Sequence, residues 1–294
     1  MKVTPFKLFL GLLYITAFGA IFSFYLEGRS FYGTPLLERP RHADFWALKP
    51  GGFRGHAFGV VGSSLMVLML LYSARKRVRA LRGLGRLREW LDLHIFCGVI
   101  GPLLVVLHSS FKVQGLVALS FWSMIAVALS GVLGRYLYLQ IPRTRAGDAL
   151  TLAETEGLHR DLTRRLREEL GLGEERLAEL DRIALAGTTP TAGVGRLLLA
   201  LPFQSIALRW RLRAFARRLR RELRDAPPRL LREVGRTARQ KAVLERRLVL
   251  WSRLQQLFHY WHVVHKPFAV VMYLFMVVHV ATALLTGYGW RPGR

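Results

Sequence analysis

The chain contains one cysteine, Cys97. A single thiol excludes a disulfide framework and any four-cysteine iron–sulfur or zinc site within the chain, since each needs several thiolates converging on one point. Acids are scarce as well: 19 Asp and Glu stand against 44 Lys and Arg, a formal net charge of +25 over 294 residues. No G-x-G-x-x-G follows an expected strand, and the glycine pair of TPTAGVGR at 189–196 is a weak phosphate-binding signal between expected helices. Redox chemistry in such a chain needs a cofactor other than an iron–sulfur cluster.

Apolar residues are abundant instead. They make up 52% of the chain, with a mean hydropathy of +0.24, which leans away from an ordinary soluble enzyme. Stretches of roughly 20 apolar residues suffice to cross a hydrocarbon layer of ~30 Å. Five candidates meet that length, at about 6–26, 56–74, 92–111, 117–139 and 260–286. The first follows Lys2 and Lys7 as a secretory signal would, but it runs on through IFSFYL to Leu26 without a convincing cleavage site and reads as a retained anchor. The expected fold is an all-α integral membrane bundle. Residues 1–139 carry spans one to four, 140–256 form a polar, basic helical insertion, and 257–294 carry the fifth span and a short tail.

Charge sets the expected orientation, because short segments rich in Lys and Arg stay in the cytoplasm. The loop 75–91 holds seven basic residues and one acid, and 140–256 holds 25 basic and 14 acidic residues. With five spans both segments fall on one face, which puts the N-terminus inside and the C-terminus outside a bacterial-type inner (cytoplasmic) membrane. Loop 27–55 and the connection 112–116 are then external. The short apolar run GRLLLALPFQSIALRW at 195–210, interrupted by Pro202 and Gln204, suits an interfacial or buried helix better than a span. Basic helices beside a membrane commonly rest on anionic lipid.

Histidines mark two of the spans. His94 and His108 are 14 positions apart on the third, and His265 and His279 are 14 positions apart on the fifth. Fourteen helical residues rotate to within ~40° of four full turns and rise ~21 Å, so each pair faces one way. His262 and His259 turn roughly 100° and nearly 180° away from His279, so His265 is the better partner. One intervening span makes the third and fifth helices parallel, placing His94 level with His265 and His108 level with His279. Two neutral imidazoles at one depth, twice, are what two bis-histidine haem b groups in a helical bundle require.

A lone histidine on an apolar face is more often a hydrogen-bonded core residue, and His42, His56 and His159 read that way; the matched spacing favours ligation for the four. Gly101, midway between His94 and His108 on the same face, leaves room where a side chain would intrude between two cofactors. Arg135, Lys112 and Lys266 are candidate partners for haem propionates, Arg135 first because a guanidinium can grip a carboxylate with two bonds. The alternative for each is an ordinary snorkelling cation at a helix end. His259 and His262 stay open among a metal site, a proton path, propionate contacts and an interfacial role.

With two histidines about four turns apart on each of two helices, the chain resembles the di-haem b-type membrane cytochromes, which include cytochrome b of the quinol–cytochrome c reductases and the membrane domains of ferric reductases and NADPH oxidases. The matching positions are His94, His108, His265 and His279, and the resemblance covers roughly residues 56–139 and 257–286. It implies a four-helix di-haem core formed by spans two to five, and electron transfer as the activity. Quinone or quinol is the expected small-molecule partner, and a separate redox protein such as an external c-type cytochrome is the other, with the chain as a subunit of a larger oxidoreductase complex. Two alternatives are a ferric-ion or oxygen reductase fed by a separate flavoprotein, and a membrane-anchored basic docking module. Nucleic acid is not the expected partner, since no zinc-finger spacing or RNA-binding aromatic motif is present.

Overall fold

In lipid an apolar segment must satisfy its backbone groups within itself, so long apolar runs become helices. The structure, a computed structural model, describes residues 4–81, 83–142, 150–188, 193–222 and 226–287. Lys2, the threonine–proline part of TPTAGVGR and the tail from residue 288 lie outside the described residues. Among those described, every α or β element is an α-helix: α1 (Pro5–Glu27), α2 (Arg29–Gly33), α3 (Phe45–Leu48), α4 (Phe53–Leu68), α5 (Leu70–Arg77), α6 (Leu87–His108), α7 (Leu116–Gln140), α8 (Leu152–Arg164), α9 (Glu174–Leu185), α10 (Val194–Glu222), α11 (Pro228–Val249) and α12 (Trp251–Leu285).

Among the described residues, five segments are long and apolar enough to cross a membrane: Pro5–Glu27, Phe45–Arg77, Leu87–His108, Val117–Gln140 and Trp251–Leu285. These are the five expected spans. The second segment begins at Phe45 rather than near residue 56, and α12 begins at Trp251 rather than near residue 260. The segment WSRLQQLFHY is too polar for a lipid span, yet nothing in it stops a helix, so the helix outruns its hydrophobic portion. Residues 195–210 fall within α10 and are not among the five.

The chain divides into two compact units, one made of residues 1–133 and 262–294 and the other of Gly134–Trp261. In the first, α4 and α6 pack backbone to backbone. A Cβ on Gly62 would stand 2.9 Å from the Gly101 carbonyl oxygen, and one on Gly101 would stand 3.1 Å from that of Gly62, so glycine at both positions is what permits the approach. α1 lies against α6 through Tyr14 and Phe96, whose rings meet edge to face at 5.0 Å. The 28–52 segment is fixed by Arg39, 7% exposed. Its guanidinium donates to the carbonyl oxygens of Tyr32 at 2.8 Å and Thr34 at 2.9 Å, and also to that of Ser110 just past α6. Ser110 and Phe111 there adopt left-handed backbone (φ 48° and 59°), a conformation that costs side-chain-bearing residues about 1–3 kcal/mol each. The Ser110 hydroxyl offsets part of that cost by donating to Leu48 O at 2.7 Å.

The second unit is a soluble-type helical core. α8 opens on a capping box, in which the Thr151 hydroxyl accepts from the Glu154 amide while the Glu154 carboxylate accepts from the Thr151 amide. The buried face of α10, led by Leu208, Leu212, Phe215 and Leu219, meets Leu177 and Leu180 of α9 and Val234 and Ala238 of α11. Lys241 is 1% exposed and ion-paired with Asp181. The His159 imidazole against Glu245 holds that carboxyl below the usual carboxylate range.

Candidate functional site

α6 and α12 each present a histidine near both ends of their lipid-crossing portion, and all four imidazoles are half-buried. The rings of His108 and His279 lie 6.3 Å apart, centroid to centroid, inclined at 63°. The two helices thus bring His108 and His279 together, one of the two pairs expected from parallel helices carrying one spacing.

The second nitrogen of three of these rings is engaged. His94 Nδ1 is 3.1 Å from the carbonyl oxygen of Met69, the residue joining α4 to α5. His108 Nδ1 is 2.8 Å from the Gly55 carbonyl oxygen on the first turn of α4. A carbonyl can only accept, so both Nδ1 atoms carry the proton and donate. His265 Nδ1 is 2.7 Å from Ser130 Oγ on α7, and the Ser130 hydroxyl donates its own proton to Val127 O at 2.9 Å. His265 Nδ1–H is therefore also the donor. In a neutral imidazole protonated at Nδ1, the Nε2 lone pair is left for a metal, and bonds of this kind orient metal-ligating histidines.

The His108–His279 spacing can be set beside that of two imidazoles that share one metal ion. Two imidazoles on opposite sides of one metal ion, each bonded at about 2.0–2.1 Å, put their ring centroids roughly 6 Å apart. The His108–His279 spacing is of that size. Among the described residues no three His, Cys, Asp or Glu side chains converge. Gly59 adds a cradle: a Cβ there would stand 2.6 Å from His108 Nδ1, so only glycine admits the ring in this position.

Between the two histidine levels lies a cluster of sulfur-bearing side chains. Met66, Met69, Met124 and Met272 are its buried members, with Cys97, Tyr273 and Met276 packed against them. Met272 is seven residues from both His265 and His279 on α12, so the three share one face. The Tyr273 hydroxyl donates to Met66 O at 2.6 Å, and that of Ser120 donates to Met272 O at 3.2 Å, tying α12 to α4 and α7.

The remaining candidates are dispersed. Gly101 faces α4, where its lack of a side chain lets the two backbones meet. Lys112 and Lys266 are exposed at the ends of α6 and in α12. Arg135 belongs to the second unit, where its guanidinium lies over the Tyr138 ring at 5.6 Å. His42 accepts from the Asp44 amide at 3.1 Å, His159 pairs with Glu245, and His259 is exposed beside Tyr260. Sequence reasoning missed Ser130 and the carbonyls of Gly55 and Met69. A hydroxyl inside a lipid span could have signalled Ser130, whereas a backbone acceptor leaves no trace in residue identity. No protein-family model matches this chain, and no curated protein and no solved structure matches it either.

Proposed function

We propose that the chain is a di-haem b-type cytochrome that carries electrons across the membrane between a quinone or quinol pool and a partner redox protein such as an external c-type cytochrome, as the membrane subunit of an oxidoreductase. The observation that supports this reading is the set of four half-buried imidazoles on α6 and α12, with the His108 and His279 rings 6.3 Å apart and Nδ1 of three rings in a hydrogen bond. His94 and His265 would hold one haem, and His108 and His279 the other. Bound there, each haem supplies a one-electron iron centre whose potential the protein tunes.

The chain's own residues do the rest. The Nδ1 bonds fix ring orientation and make Nε2 the coordinating atom, and the methionine cluster keeps water from the space between the two levels. Lys112 and Lys266 are the cations of the first unit that would meet propionate carboxylates through charge-assisted hydrogen bonds. The excess of Lys and Arg in 75–91 and 140–256 supports an N-terminus on the cytoplasmic side of a bacterial-type inner membrane and a C-terminus outside.

The test is optical. Purified protein should show b-type α bands on reduction, and pyridine extraction should report two haems per chain. His108→Ala should leave one. A chain that stays colourless after haem is supplied during expression, or a His108→Ala variant that retains both groups, overturns the assignment. Reduction by a quinol analogue, compared with reduction by NADPH plus a flavoprotein, separates the quinol reading from a flavoprotein-fed reductase.

A further inference from the structure

α10 is apolar on two opposite faces. One face enters the core of the second unit, with Leu197, Leu201, Leu208 and Leu212 each 7% exposed or less. On the other side Leu199, Phe203, Ile206 and Trp210 are 74%, 73%, 52% and 60% exposed. These four are spaced by four, three and four residues, which confines them to an arc of about 60° centred about half a turn from the buried face. The stripe is about 17 Å long, too short to span a hydrocarbon layer of ~30 Å.

Its ends are basic. Arg196 precedes the stripe, and Arg213 and Arg217 continue it on the same side. The Arg213 guanidinium lies over the Trp210 ring at 5.3 Å. α10 as a whole carries eight arginines and one acid, Glu222, its last residue. Exposed apolar stripes normally signal an occupant, and here the chemistry names one. Aliphatic and aromatic side chains in the middle, tryptophan at the edge and guanidinium groups beyond match a bilayer interface of anionic lipid, with acyl chains under the stripe and phosphates at its ends. A protein partner would have to offer an apolar groove closed by carboxylates, whereas a bilayer lies within tether reach on both sides, since the segment is held between the lipid-crossing helices α7 and α12.

We propose that the Leu199–Trp210 face of α10 docks on the anionic lipid surface of the membrane that the spans cross. The proposal is independent of haem binding. It is tested on the full chain, with Cys97→Ala and Phe203→Cys carrying a nitroxide, in nanodiscs of neutral phosphatidylcholine or of phosphatidylcholine with anionic phosphatidylglycerol. A second label at Gln240→Cys, exposed elsewhere in the same unit, is the control.

In anionic discs the nitroxide at 203 should be accessible to dissolved oxygen and shielded from a water-soluble nickel chelate, while the one at 240 stays open to nickel. Removing one positive charge near an anionic surface lowers binding about fivefold, so Arg213→Gln and Arg217→Gln should each shift the lipid-to-water population ratio by about that factor. Raised salt should shift it the same way. Open access of nickel to residue 203 in both disc types overturns the proposal. So does shielding from both reagents regardless of lipid charge, which would mean that protein covers the face.

Discussion

Ser130 is the residue whose removal discriminates best. Its hydroxyl accepts from His265 Nδ1 at 2.7 Å while donating to Val127 O, so it fixes the proton on the nitrogen that faces away from a metal. Outer-shell partners of metal-bound histidine commonly contribute 10–100-fold to affinity. Ser130→Ala should therefore weaken haem retention at the His94–His265 level by about tenfold and leave the other level intact. Pyridine extraction after graded detergent washing reads this directly. Ser130→Thr keeps the hydroxyl and should restore retention, whereas equal loss in both variants would mean that the serine only fills space. The four histidines themselves were legible in the sequence, because helical periodicity converts a spacing of 14 into a shared face. Their hydrogen-bond partners were not. Two are backbone carbonyls, which every residue has, and the third stands 135 positions from its histidine, a pairing only the fold creates.

Among the elements, the contact between α4 and α6 decides where two of the four histidines stand, because both ring acceptors, Met69 O and Gly55 O, flank α4. Gly62→Val would drive a side chain into the Gly101 carbonyl oxygen and Val105 Cγ2, each 2.9 Å from the added Cβ. Overpacking of this kind costs about 1–3 kcal/mol. The variant should melt several degrees below the parent in detergent. Gly19→Val on α1, where an added Cβ meets nothing within 4 Å, should melt close to the parent and serves as the comparison. Equal melting of both variants would show that the α4–α6 approach does not limit stability. The spans were readable because lipid leaves an apolar segment almost no alternative to a helix. Short helices such as α2 and α3 were not, since they are set by tertiary bonds like those of Arg39 rather than by periodicity.

For the whole molecule, the proposed orientation rests on the distribution of arginine and lysine alone. In a Cys97→Ala background, Leu37→Cys and Gln114→Cys should react with a membrane-impermeant maleimide added to intact cells, and Gly83→Cys and Gly173→Cys only after permeabilisation. The reverse pattern would invert the topology and exchange the sides assigned to the two histidine levels. The division of the four histidines between α6 and α12 also has a consequence in time. His108 and His265 are 157 residues apart in the chain. At synthesis rates of about 5–20 residues per second, roughly ten to thirty seconds separate the two ligand-bearing helices as they leave the ribosome. Neither pair exists until the last helix is inserted. Cofactor capture would then be the closing event of biogenesis, and chains truncated before α12 would reach the membrane folded in part and unable to retain iron.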